Sequence, residues 1–108
     1  MDDISAITRE EVRKYAGSGR GMNVILFPVL DDERQTYTVT AVDFPIRKDD
    51  SMIVVLARIA GDQVVIEEDA TDKPLVDALI QRGIPRDRIV LAYRGEPIPD
   101  AERFALPS

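Results

Sequence analysis

Cysteine, histidine and tryptophan are all missing from the 108-residue chain. Without cysteine there is no disulfide, no thiolate nucleophile and no cysteine-ligated zinc. Without histidine the commonest general base is gone, and so is every histidine-ligated metal site. Long apolar runs are missing as well. The longest, Met52–Ala57, falls far short of the roughly 20 residues that a membrane helix requires. Positive charge is scarce: 14 Lys and Arg stand against 20 Asp and Glu, for a formal charge of −6. That balance argues against unaided binding to a nucleic-acid phosphate backbone. The start, Met1-Asp2-Asp3, lacks the cationic segment of a signal peptide, so a cytoplasmic location is expected.

What is present suits a small globular domain, read here as one unit over residues 1–108, with less regular ends at 1–8 and 95–108. Thr8 and Glu11 have capping-box spacing, with Ile7 and Val12 placed as a hydrophobic staple around them. They predict a helix whose firm part is Arg9–Ala16, extending back toward Ile4. The run Gly17-Ser18-Gly19-Arg20-Gly21 follows a helix instead of a strand and lacks a Lys-Ser/Thr ending, so it reads as a linker and not a phosphate loop.

Four strand-like runs follow: Met22–Leu30, Thr36–Phe44, Met52–Ala60 and Gln63–Glu68. Pro28 cannot donate to a ladder, which places the first run at an edge or on a bulge. Gly61-Asp62 predicts a tight hairpin. A second helix is marked by Thr71 or Asp72 as cap, Pro74 in its first turn, and an apolar stripe of Leu75, Val76, Leu79 and Ile80. Gly83 supplies its left-handed stop, with Ile84 placed to pack back on Leu79. Ile89–Tyr93 is a short buried extended segment. The expected fold is α+β: an N-terminal helix, a four-stranded antiparallel β-meander, a C-terminal helix and a short final strand, with the helices on one sheet face.

Three groups of residues are candidates for function. Glu67, Asp69 and Asp72 could pair as acid and base, or hold a hard cation in a small metal-dependent hydrolase or nuclease. Strand alternation sends Glu67 and Glu68 to opposite faces, however, and a solvated strand end with a helix cap accounts for the cluster. No metal or cofactor is expected. Arg82, Arg86, Arg88 and Arg94 form a basic cluster that could meet an anionic partner or DNA directly, although no aromatic residues are interleaved to stack bases. Helix-end charge complementing the macrodipole, with pairing to Asp87, is the favoured account of it. Third, alternation along Met52–Ala60 places Ile53, Val55, Ala57 and Ile59 on one face and Met52, Val54 and Leu56 on the other. Two helices cover one face of such a sheet, so the Met52/Val54/Leu56 face is expected to pair with a second copy. The competing cover is the chain's own tail, with Ile98, Phe104 and Leu106.

The segment Ile66-Glu67-Glu68-Asp69-Ala70-Thr71-Asp72, followed by Gly83-Ile84-Pro85-Arg86-Asp87-Arg88-Ile89-Val90-Leu91-Ala92-Tyr93, resembles the XisI family. Members of this family are described as controlling factors for excision of the fdxN element. Gly83, Ile84, Pro85, Ile89, Val90 and Leu91 sit on the family's Gly-Val-Pro-x-x-Asp-Ile-Val-Leu pattern. Asp32-Glu33-Arg34-Gln35-Thr36-Tyr37 is similar to its earlier Asp-x-Glu-Arg-Asp-His-Tyr block. Leu56, Val65 and Arg94 stand where members often carry His, Trp and His. The resemblance implies an α+β fold, a homodimer, no catalytic residues, and an XisH-like, nuclease-like companion protein. On this reading the chain is a non-enzymatic accessory protein that touches DNA only indirectly and does not enter a membrane.

Overall fold

The computed structural model describes residues 3–105. Asp3 caps the first helix, α1 (Ile4–Lys14), by accepting a 2.9 Å hydrogen bond from the Ser5 N–H. The cap expected at Thr8 therefore lies a turn inside the helix, where Thr8 is buried and its hydroxyl donates to the Ile4 carbonyl at 2.7 Å. Starting at Asp3 gives the helix an extra turn, and that turn brings Ile4 and Ile7 onto the core. Residues 4–8, expected to be less regular, are helical. The supposed linker is not all linker either: Arg20–Gly21 forms a short strand, β1, on Val24–Ile25.

The remaining strands are β2 (Val24–Asp31), β3 (Thr36–Asp43), β4 (Met52–Ala60), β5 (Gln63–Asp69) and β6 (Ile89–Leu91), and the second helix is α2 (Leu75–Gln81). Among the described residues the sheet has six strands in the order β1-β2-β3-β4-β5-β6. The first four pairings are antiparallel and β5–β6 is parallel. The expected four-strand meander is present as β2–β5, extended by one strand at each side. A parallel neighbour requires a crossover, and the chain between β5 and β6, which carries α2, supplies it.

Pro28 lies on β2 opposite Val39. The Leu26 N–H bonds the Gly19 carbonyl on the β1 side, and strand alternation sends position 28 the same way. The missing donor thus faces a free edge beyond the end of β1, where no partner strand needs it.

Helix α2 starts later than its sequence signals suggest. Neither Thr71 nor Asp72 caps it. Asp69, at the end of β5, accepts from the Leu75 N–H at 2.7 Å and from the Thr71 N–H at 2.9 Å. Pro74 is the cap residue itself and has no side chain to bond with, so the strand end supplies the missing acceptor. The other end is a Schellman ending as expected: Ile84 N–H to Leu79 carbonyl at 3.1 Å and Gly83 N–H to Ile80 carbonyl at 2.9 Å. Gly83 has φ +96°, and nothing lies within 4 Å of where a Cβ would sit. Gly83→Ala therefore meets no clash and carries only the backbone penalty, about 1 kcal/mol. A urea midpoint that falls by the corresponding amount is expected; an unchanged midpoint contradicts this ending.

Both helices pack on one sheet face. Ile7, Val12 and Ala16 of the α1 region, with Leu75 and Leu79 of α2, bury Tyr37, Val39, Val55, Ala57, Val64, Ile66, Ile89 and Leu91. One polar link fastens α1 to this layer and a second continues it to the β2–β3 turn. The Ser5 hydroxyl shares a hydrogen with the Tyr37 hydroxyl, and Tyr37 also reaches Asp32 at 3.1 Å.

Candidate functional site

The three groups of candidate residues fare differently. The carboxylates do not converge. Glu67 sits at an irregularity in the β4–β5 pairing and accepts from Arg58 Nε at 2.8 Å. Asp69 is committed to the start of α2 through Thr71 and Leu75. Asp72 lies exposed in the loop beyond. Among the described residues, no three acidic side chains are grouped closely enough to hold a metal ion. Calorimetric titration with magnesium, manganese or calcium is expected to give no stoichiometric heat. Asp69→Ala is expected to lower the melting temperature through the lost cap, equivalent to about 1 kcal/mol, without altering that flat titration. A tight site abolished by Asp69→Ala would instead establish a metal centre.

The arginines are mostly engaged with the chain's own carboxylates. Arg82 holds Glu11 at 2.6 Å and Glu10 at 2.8 Å, clamping the end of α2 to α1. Glu11 is buried, which on its own pushes its carboxyl up. Hydrogen bonds from Lys14 and Arg82 outweigh that and hold it below the ordinary carboxylate range. Arg86 donates to the Ile89 carbonyl at 2.6 Å and to Glu96 at 2.7 Å. Glu96 in turn accepts from the Leu91 N–H at 3.0 Å, and this bond is the first cause of its depressed pKa. Ile89 and Leu91 are the β6 residues whose backbone faces away from β5, so the Arg86–Glu96 pair seals that sheet edge. Arg88 approaches Asp62 at 4.0 Å. Arg94 lies against the ring of Tyr93 and has no carboxylate partner among the described residues. The four therefore do not form one free basic surface. The signal available in the sequence was an excess of nearby acid; the particular pairings span up to 72 residues and are not written locally.

The sheet face away from the helices is arranged differently from its sequence reading. The β3–β4 register shifts between Val39 and Thr40: Val55 faces Val39, but Ile53 faces Thr40. Val54 occupies the extra position and packs against the helix-side core. Met52, Val54 and Leu56 consequently do not share a face. Met52 pairs with Ala41, whereas Leu56 pairs with Thr38 on the outer face. Strict alternation fails because a bulge inserts one residue and inverts the faces beyond it.

The outer face is built in rows across β2, β3 and β4. Phe27, Thr40 and Ile53 make one row, and Val29, Thr38 and Leu56 the next. Phe27, Val29 and Ile53 are 47%, 54% and 42% exposed. None of these six residues is charged. The third row is Asp31, Thr36 and Arg58, continuing through Val65 on β5 to Val90 on β6. Here the face is covered: Val65 and Val90 are buried although neither belongs to the helix-side core.

The C-terminal tail meets this same row at Arg58. Arg58 is buried and grips Asp100 with both terminal nitrogens, at 2.7 and 3.1 Å. The ring of Phe104 lies 5.3 Å from the Arg58 guanidinium carbon. Hydrogen bonds from Arg58 hold the Asp100 carboxyl below its usual value, and Asp100 in turn raises Arg58 further above its own. Among the described residues the tail thus meets the outer face at Arg58, and Phe27, Val29 and Ile53 stay exposed. Leu106 lies outside the described residues. Arg58 was not among the sequence candidates. Its signal was a single cation in the otherwise apolar β4, which demands carboxylate partners when buried.

Comparison with known proteins follows the fold. The sequence model of the family described as XisI protein matches residues 3–106. Two solved structures share the architecture. One is an XisI-like protein from Anabaena variabilis ATCC 29413, with TM-score 0.71 and 22% identity, covering 94% of this chain and 91% of that one. The other is the fdxN element excision controlling factor XisI from the same organism, with TM-score 0.66 and 23% identity, covering 92% of this chain and 98% of that one. No curated protein gives a significant match.

Proposed function

The chain belongs to the XisI family, and from that premise we propose that it is a non-enzymatic accessory protein that controls a DNA excision or rearrangement through a protein partner. The reading that suits the companion implied by the sequence resemblance is an XisH-like, nuclease-like protein. The observation that carries the proposal is the outer sheet face. Phe27, Val29, Ile53 and Leu56 around a threonine column offer an uncharged, partly apolar surface on a chain of charge −6. Surfaces of this composition suit protein contact. The arginines support direct DNA binding less well, because Arg82 and Arg86 are tied to Glu10, Glu11 and Glu96. The separated carboxylates support a metal-dependent hydrolase less well.

The same face suits a second copy of the chain. Two molecules that both carry −6 repel one another, and contact through an uncharged face keeps that repulsion lowest. A two-fold pairing closes on itself. Co-expression with the XisH-like protein tests the partner. A complex that elutes together, and that Ile53→Asp disrupts while the protein stays folded, is expected. Separate elution of two folded proteins contradicts the partner reading.

A further inference from the structure

The tail is held as a ligand is held, at two points. Its carboxylate, Asp100, enters the fork of a nine-tenths buried arginine, and its ring, Phe104, lies over the same guanidinium. Between and beyond these anchors the segment Ala101–Ala105 is exposed, and Phe104 itself remains 55% exposed. Pro97 and Pro99 precede the anchors and restrict the lead-in. On the sheet side the receiving surface is fully built. Arg58 is fixed from behind by Glu67 at 2.8 Å, and Val65 and Val90 continue the row beside it. The charged groups around the fork are Glu67, Asp100 and Arg103, the last 3.9 Å from Asp100.

We infer that the outer face around Arg58 is a docking site for a partner segment carrying a carboxylate and, four residues later, an aromatic ring, and that the chain's own Asp100 and Phe104 occupy it in cis. An oriented guanidinium selects a carboxylate bidentately, and its flat face takes an aromatic ring. A tethered segment competes at an effective concentration in the millimolar range, so a partner segment has to displace it or bind when it opens. Displacement would free the Arg58 guanidinium, which lies in one row with Val65 and Val90. The inference rests on reading the outer face as a docking surface, but it concerns a site separate from the Phe27/Ile53 rows.

The probe is a fluorescently labelled peptide with the sequence of residues 96–105, measured by anisotropy against the full chain. The Asp100→Asn/Phe104→Ala protein is expected to bind it about tenfold more tightly than the wild type, because the cis competitor is weakened. Peptides with the corresponding Asp→Asn or Phe→Ala change are each expected to bind that protein about tenfold more weakly. Equal binding to wild type and variant, or indifference to both peptide changes, overturns the site. If the double variant does not fold, Phe104→Ala alone takes its place, since that ring is more than half exposed. A few-fold gain over wild type is then expected, and no gain overturns the inference. Light scattering on the same samples reports self-association separately. A peptide response without a mass change supports this site whatever the fate of the dimer, and a mass change without a peptide response overturns this site alone.

Discussion

Arg58→Ala is expected to cost about 2–3 kcal/mol of folding stability and to loosen the tail. Breaking one partner out of a fully buried ion pair costs about 3–5 kcal/mol. The partners here, Asp100 and Glu67, keep 22% and 32% of their side-chain surface in water, so part of their solvation returns when Arg58 is removed. Chemical denaturation measures the loss, and hydrogen exchange at the amides of residues 100–105 reports whether the tail has loosened. A variant as stable as wild type, with the same protection, contradicts the tail's role. The contribution has a pH signature. Asp100 has a folded-state pKa below its unfolded value, so its stabilisation is present above the unfolded pKa, about 4, and is lost as pH falls through the depressed folded value. The wild type is therefore expected to lose more stability than Asp100→Asn across that acidic window.

Tyr37→Ala is expected to be the more damaging change, at about 3–5 kcal/mol, against roughly 1–2 kcal/mol for Tyr37→Phe. Tyr37 is wholly buried near the middle of the sheet, facing α1. Its ring fills space that no neighbour can take over without moving the helix, so removal leaves a cavity. Its hydroxyl joins Ser5 on α1 to Asp32 in the β2–β3 turn. Losing the hydroxyl alone leaves Ser5 short of a partner in a buried position, while Asp32 is exposed and still near Arg9 at 3.3 Å. A small domain has about 5–15 kcal/mol in all, so Tyr37→Ala is expected to populate unfolded chain near physiological temperature. Equal losses for the two variants would show that the hydroxyl, not the ring, carries the effect.

Local patterns wrote much of this architecture into the sequence. The β2–β5 meander, the Gly61-Asp62 hairpin, the Gly83 stop and the edge position of Pro28 follow from spacing and backbone chemistry within a few residues. What the sequence did not disclose depends on register or on distant pairing. The bulge at Val54 has no side-chain signature, yet it turns Val54 against the core and leaves Ile53 outside, so Met52, Val54 and Leu56 do not share the expected face. Strand β1 is only Arg20–Gly21, too short for any alternation. Asp69 caps a helix that starts six residues later, beyond the usual capping distance. The arginines' partners are not the Asp87 that the sequence suggests but Glu10 and Glu11, more than 70 residues away, and Glu96. Arg58 and Asp100, 42 residues apart, met only in the fold.

The central claim is that the uncharged outer face, open among the described residues, is an interface at which two copies of the chain pair. Light scattering at micromolar concentration tests it most directly. The account predicts a mass twice the 12.1 kDa of one chain for the wild type, and a single-chain mass for a folded Ile53→Asp variant. A wild-type mass near 12.1 kDa that does not change with concentration would contradict it.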